Sequence, residues 1–85
     1  MNEKITIEVT ADDIARGSRS SCFFCPIALA ARRVFRTTAV EVFRTRIEIN
    51  DRSYRLPLVA KMFIVSVDRM KPVQPFTFEI ELASA

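Results

Sequence analysis

The chain has 85 residues, 49% of them hydrophobic and 27% charged, with one glycine, four prolines, two cysteines, no histidine and a net charge of +3. That length supports one modest core, and the composition is that of a folded domain, not of a disordered segment. The lack of histidine removes Ser-His-Asp triads, histidine metal sites and the commonest general base at neutral pH.

No apolar run reaches the roughly 18 residues that span a bilayer, and Met1-Asn2-Glu3-Lys4 lacks the charged-then-apolar layout of a signal peptide. The expectation is a cytoplasmic protein without a membrane partner, its thiols reduced. Charge is unevenly spread: ten basic residues face three acidic ones between Ile14 and Val67, while the two ends together carry −4. Arginine outnumbers lysine ten to three. That suits bidentate contact with phosphate or carboxylate, although a GC-rich genome produces the same bias.

In chain order, Ile5, Ile7 and Val9 alternate with Thr6, Glu8 and Thr10, the period of a strand buried on one face. Thr10 then caps a short helical turn over 11–16, with Asp12 and Asp13 at its start and Gly17 as its stop. Ser18 to Phe24 is a polar loop closed by two aromatics. Pro26 suits the first position of a helix, where its missing N–H needs no partner, which makes Cys25 the cap. Ile27, Ala30, Ala31, Val34 and Phe35 share one face of that helix, and Arg32, Arg33 and Arg36 the other.

Thr37 and Thr38 end the helix and lead into Ala39 to Asn50. Apolar parity changes there between Val40/Val42 and Phe43/Ile47/Ile49, so the segment either bends at a bulge near Arg44 or is two strands. Asn50-Asp51-Arg52 is a turn and Ser53 to Leu56 a returning strand, forming a hairpin. The stretch from Leu58 to Lys71 is ambiguous. Its β-branched residues suit a strand over 62–67, whereas Pro57 suits a helix start and Met70-Lys71-Pro72 a stop, and helix is favoured. As a helix it turns Val59, Met62, Phe63, Ser66, Val67 and Met70 to the core and leaves Ile64 and Val65 partly outside. After an extended linker over 72–75, Phe76, Phe78, Ile80 and Leu82 alternate with polar residues as the closing strand.

The order β-α-β-β-α-β predicts a single α+β domain over residues 1–85, a ferredoxin-like two-layer sandwich. Right-handed crossovers put the first and last strands at the centre of its sheet.

Ile-x-Val-Thr near the start, Arg16-Gly17, Cys22-x-x-Cys25-Pro26-Ile-Ala-Leu-Ala30 and Pro75-Phe-Thr-Phe-Glu79 together resemble a family of small, uncharacterised bacteriophage and prophage proteins. The resemblance covers most of the chain. It implies expression inside a bacterial host cell and a protein that binds or inhibits a host component, and it brings no activity. Similar proteins have polar residues interspersed in the segment matching 59–68, where this chain has Ile64 and Val65.

Cys22 and Cys25 admit three readings. A dithiol at a helix N-terminus, near Arg16 and Arg19, is suited to redox chemistry, but a thioredoxin-like motif directly follows the first strand and about a dozen residues intervene here. Zinc needs four ligands, so Cys22 and Cys25 would have to be shared between two chains. The favoured reading is that both cysteines pack the start of the helix. Asp12-Asp13 and Glu79/Glu81 read as a capping pair and a solvated strand face. The glycine-rich phosphate loop of acylphosphatase-type chemistry is missing. No catalytic residue and no cofactor is expected.

The leading expectation is therefore a non-enzymatic binding protein that binds or inhibits a host protein or sequesters a ligand, with a homodimer or partner interface at Phe23, Phe24, Ile64 and Val65. The alternative is nucleic-acid or nucleotide binding through Arg32, Arg33, Arg36, Arg44, Arg46, Arg52 and Arg55.

Overall fold

Alternation of Ile5, Ile7 and Val9 builds strand β1 (Lys4–Val9), whose Ile7 and Val9 are fully buried in a computed structural model describing residues 4–82. Met1, Asn2, Glu3, Ala83, Ser84 and Ala85, and the side chain of Leu82, lie outside the described part. Helix α1 (Ala11–Arg16) follows with a capping box: the Asp13 N–H donates to Thr10 Oγ1 at 3.2 Å, and the Thr10 N–H to Asp13 Oδ2 at 2.9 Å. Helix α2 (Pro26–Phe35) has Pro26 in its first turn and Cys25 as its cap, as the spacing predicts.

The parity change after Val42 is a reversal of the chain, not a bulge. Strands β2 (Val40–Val42) and β3 (Arg46–Ile49) pair antiparallel, Val42 opposite Ile47, so the apolar residues of both point to one side. A second hairpin joins β3 to β4 (Arg52–Arg55) through Asn50 and Asp51, both left-handed at φ 51° and 66°, the conformation of a tight primed turn. Helix α3 (Leu58–Asp68) and strand β5 (Phe76–Leu82) complete the chain.

The five-stranded sheet has the order β1-β5-β4-β3-β2, with every pair antiparallel. The α+β class is as expected, but the ferredoxin-like order is not found: β5 lies inside the sheet while β1 forms an edge. In a ferredoxin-like sheet the parallel strands corresponding to β1 and β4 pair directly, and here β5 separates them. It pairs with β1 from Phe76 to Glu81 but meets β4 only at Glu81 and Leu82. The chain leaves the sheet at Leu56-Pro57 to begin α3, so β4 has no further backbone to offer.

All helices lie on one side of the sheet. Ile27, Ala28, Ala30 and Ala31 of α2 are completely buried against Ile7, Val9, Ile47, Ile49 and Ile80 in one core. Burial is concentrated in the first half of α2, and Val34, expected on the core face, is exposed. The radius of gyration of 11.7 Å matches the value of about 12 Å for a compact chain of this size.

Two contacts lock α1 to α2. Arg33 Nη1 donates to Asp13 Oδ1 and Arg33 Nη2 to the Glu8 carbonyl, both at 2.7 Å, so a single guanidinium ties α2 to the end of β1 and the start of α1. Gly17 ends α1 as expected, with its N–H donated to the Asp13 carbonyl, and at φ −69° it needs no left-handed backbone. Its lack of a side chain is needed for space, because an added Cβ would stand 2.6 Å from the Pro26 ring. Gly17→Ala is expected to destabilise the fold by about 1–3 kcal/mol through that overlap, read as a lower urea midpoint with an unchanged m-value.

Burial pushes the Asp13 carboxyl up, but its bonds to Arg33 and Thr10 outweigh burial and hold it below the ordinary 3.8. A carboxyl depressed in the folded state adds stability above its unfolded pKa and loses it as pH falls through the folded value. Stability should therefore drop as pH is lowered from about 4 toward 2. Asp13→Asn should flatten that part of the curve and lower stability at pH 7, both read by denaturant titration.

Candidate functional site

Helix α3 has apolar residues on almost every side, and its packing decides which of them are covered. Ala60 and Phe63 are buried, with Ile64 and Val67 packed beside them, and the Phe63 ring lies 4.7 Å from that of Phe76. Met62 and Met70, expected to face the core, are 61% and 73% exposed, and Val59 is exposed as well. Ile64, expected at an interface, is half-buried against the core, whereas Val65 is exposed as expected. The buried face is thus rotated from the expected one. An all-apolar helix has no unique inward side by periodicity, so the shape of the receiving corner beside Phe76 selects it.

Leu58, Met62 and Val65 form a row spaced i, i+4, i+7 that points away from the core, with Leu58 70% exposed. Arg69 continues the row one turn further on. Beside it runs a hollow of about 230 Å³ bordered by Arg44, Lys61, Ile64, Val65, Asp68 and Arg69. A second hollow of about 360 Å³ shares Arg44, Ile64 and Asp68 and reaches Ser20, Ser21, Cys22, Cys25 and Phe43. Arg44 sits in the turn between β2 and β3, so the two hollows form one cleft between that turn and α3. Leu58, Met62, Lys61 and Arg69 were not among the site residues expected from sequence, which placed Met62 in the core. The readable signal was the lack of a polar face anywhere on the segment.

The cysteine loop is stitched into the fold. Val42 donates its N–H to the Cys22 carbonyl at 2.7 Å, which covers the outer edge of β2, and the Ser20 N–H donates to Asp68 Oδ1 at 2.9 Å. Cys25 Sγ accepts from the Ala28 N–H at 3.4 Å as the α2 cap. Burial pushes the Cys25 thiol up, opposed by the N–H groups of Ala28 and Ile27 and reinforced by Asp68 and Cys22. This runs against the lowered thiol that the redox reading of Cys22 and Cys25 needs, and it agrees with the favoured reading of Cys25 as a packing residue. Arg16 is paired with Asp12 at 3.2 Å. Both cysteines are free, and among the described residues no three His, Cys, Asp or Glu side chains gather to hold a metal ion.

The seven arginines do not share one surface. Arg33 is held by Asp13, and Arg32 lies 4.8 Å from the Phe24 ring centroid. Arg36 caps α2 in the left-handed conformation near Thr37, whose hydroxyl donates to Asn50 Oδ1, so Arg36 and the Arg52 turn occupy one end of the molecule. Arg46 and Arg55 stand opposite each other on the open face of the sheet, and Arg46 pairs with Glu48 at 3.1 Å and stacks on Phe43. That face carries Glu8, Glu41, Glu48, Glu79 and Glu81 against Lys4, Arg46 and Arg55, with no aromatic among its paired positions. An RNA-reading sheet displays the opposite pattern, aromatics amid positive charge. Phe23 and Phe24 are exposed as expected, Phe23 beside Val40 and Glu41 of β2. They lie on the loop before α2 and outside the α3 row.

The molecule is thus an α+β protein with a solvated, acidic sheet face and a helix that turns apolar residues outward. Comparison with protein-family models, curated proteins and solved structures gives no match. None of the described helices is long and apolar enough to cross a membrane. In the native protein a thiol reagent is expected to modify Cys22, which is partly exposed, well before Cys25. Peptide mapping after brief alkylation reads the order, and equal labelling would show that the cap opens freely.

Proposed function

We propose that the protein is a non-enzymatic binding protein of phage or prophage type, working inside a bacterial cell by occupying a host protein, with α3 as its contact helix. The observation that carries this reading is the outward row Leu58, Met62 and Val65. Three large apolar side chains in line on one helix cost solubility, and a small domain keeps such a row where a partner covers it. Two of the chemically capable groups elsewhere are engaged in structure. Asp13 is bound by Arg33 and Thr10, and the Cys25 thiol is buried at its cap. The resemblance to phage and prophage proteins supports the host as the source of the partner.

Affinity capture from a nuclease-treated bacterial lysate, at low and high salt, tests the reading. A host protein retained at both salts by the wild type, and retained about tenfold less by Met62→Ser/Val65→Ser, is the expected outcome. Nucleic acid recovered from an untreated lysate, released by salt and indifferent to the double substitution, would overturn it in favour of the arginines.

A further inference from the structure

We infer that the partner segment docking on α3 is an acidic amphipathic helix, which rests on the reading of α3 as the contact face. Along the 11 residues of α3, about 16 Å, the row Leu58, Met62, Val65 is the template for a helix laid lengthwise with its own anchors at helical spacing. Charge beside the row is predominantly positive. Lys61 and Arg69 project from α3, and Arg44 stands across the hollow of about 230 Å³ from them. None of these three cations has an ion-pair partner among the described residues. The single carboxylate there, Asp68, accepts the Ser20 N–H, which does not neutralise it, and three cations against one anion leave the rim net positive.

A basic rim around an apolar row selects carboxylates flanking apolar anchors. It also disfavours a second copy of this chain, since pairing α3 with itself sets one basic rim against another, and like charges brought together at an interface are costly. An anionic lipid surface meets the charge requirement but is flat. Arg44, on a different element across a hollow, suits a convex rod lying in the cleft.

The test pans a displayed library of random peptides, about 16 residues long, against the full-length protein, and measures selected peptides by fluorescence anisotropy. Enriched sequences are expected to carry large apolar residues at i, i+3 or i+4 and i+7 flanked by Asp and Glu. Their Kd should rise about tenfold with Met62→Ser/Val65→Ser, and about tenfold with Lys61→Glu/Arg69→Glu. All four positions are exposed or half-buried, and circular dichroism confirms that the variants fold. Peptides that are lost with the apolar substitutions but are neutral or basic, or that ignore the charge reversal, would overturn the acidic partner while leaving the contact face intact. Peptides indifferent to both substitutions, or no enrichment at all, would overturn the contact face itself. Sedimentation as a dimer dissolved by Met62→Ser/Val65→Ser, or binding only to vesicles of anionic phospholipid, would likewise replace the acidic helix as occupant.

Discussion

The close seating of α2 on the sheet is the constraint from which the remaining architecture follows. Ala28, Ala30 and Ala31 are small enough to bring the helix down onto Ile7, Val9 and the β2–β3 hairpin, and together with Ile27 they are sealed from water. That proximity requires the preceding loop to pass close beneath the helix start, which is why Gly17 must lack a Cβ next to Pro26. It also requires a fixed helix axis. The guanidinium of Arg33, reaching back to Asp13 and Glu8, supplies this at the edge where β1 would otherwise end unsupported.

Once α2 occupies the sheet, α3 receives only the corner next to Phe76. Two of its residues, Ala60 and Phe63, are buried, and Phe63 is the larger, contributing about 1.5–3 kcal/mol for an aromatic taken out of water. A helix of this length is marginal alone, so it depends on that anchor and on its ends. The C-terminus is closed by Lys71 donating its N–H to the Ser66 carbonyl, with Met70 left-handed at φ 59°. The same economy leaves Leu58, Met62 and Val65 uncovered. Scarcity of sheet surface, more than any feature of α3, is what creates the outward row.

Electrostatics divides the molecule. The open sheet face mixes both signs: Lys4 stands opposite Glu81, Glu81 opposite Arg55, and Arg46 bonds Glu48, while Arg46 also faces Arg55 and Glu41 faces Glu48. Exposed pairs of this kind contribute little to stability but keep the face solvated. Around α3 and the β2–β3 turn Arg44, Lys61 and Arg69 lack such partners among the described residues. The excess of arginine in the middle of the chain therefore resolves into separate structural, solvating and cleft-lining groups.

By itself the sequence determined the elements with clean local signals. The alternation in β1 and β5, the Thr10 and Cys25 caps, Pro26 at the start of α2 and the Asn50-Asp51 turn all act within a few residues, where backbone sterics and pairing parity leave little choice. The parity shift at residues 42–47 was visible too, with its two explanations undecided. Strand order, the inward side of α3, the role of Gly17 and the fate of each arginine were decided only by tertiary structure. Each depends on contacts between distant residues: β5 choosing β1 along its length, Phe63 finding Phe76, Pro26 crowding Gly17, Asp13 claiming Arg33. A helix apolar all round gives no direction of its own, so only the surface it meets could determine which residues remained for a partner.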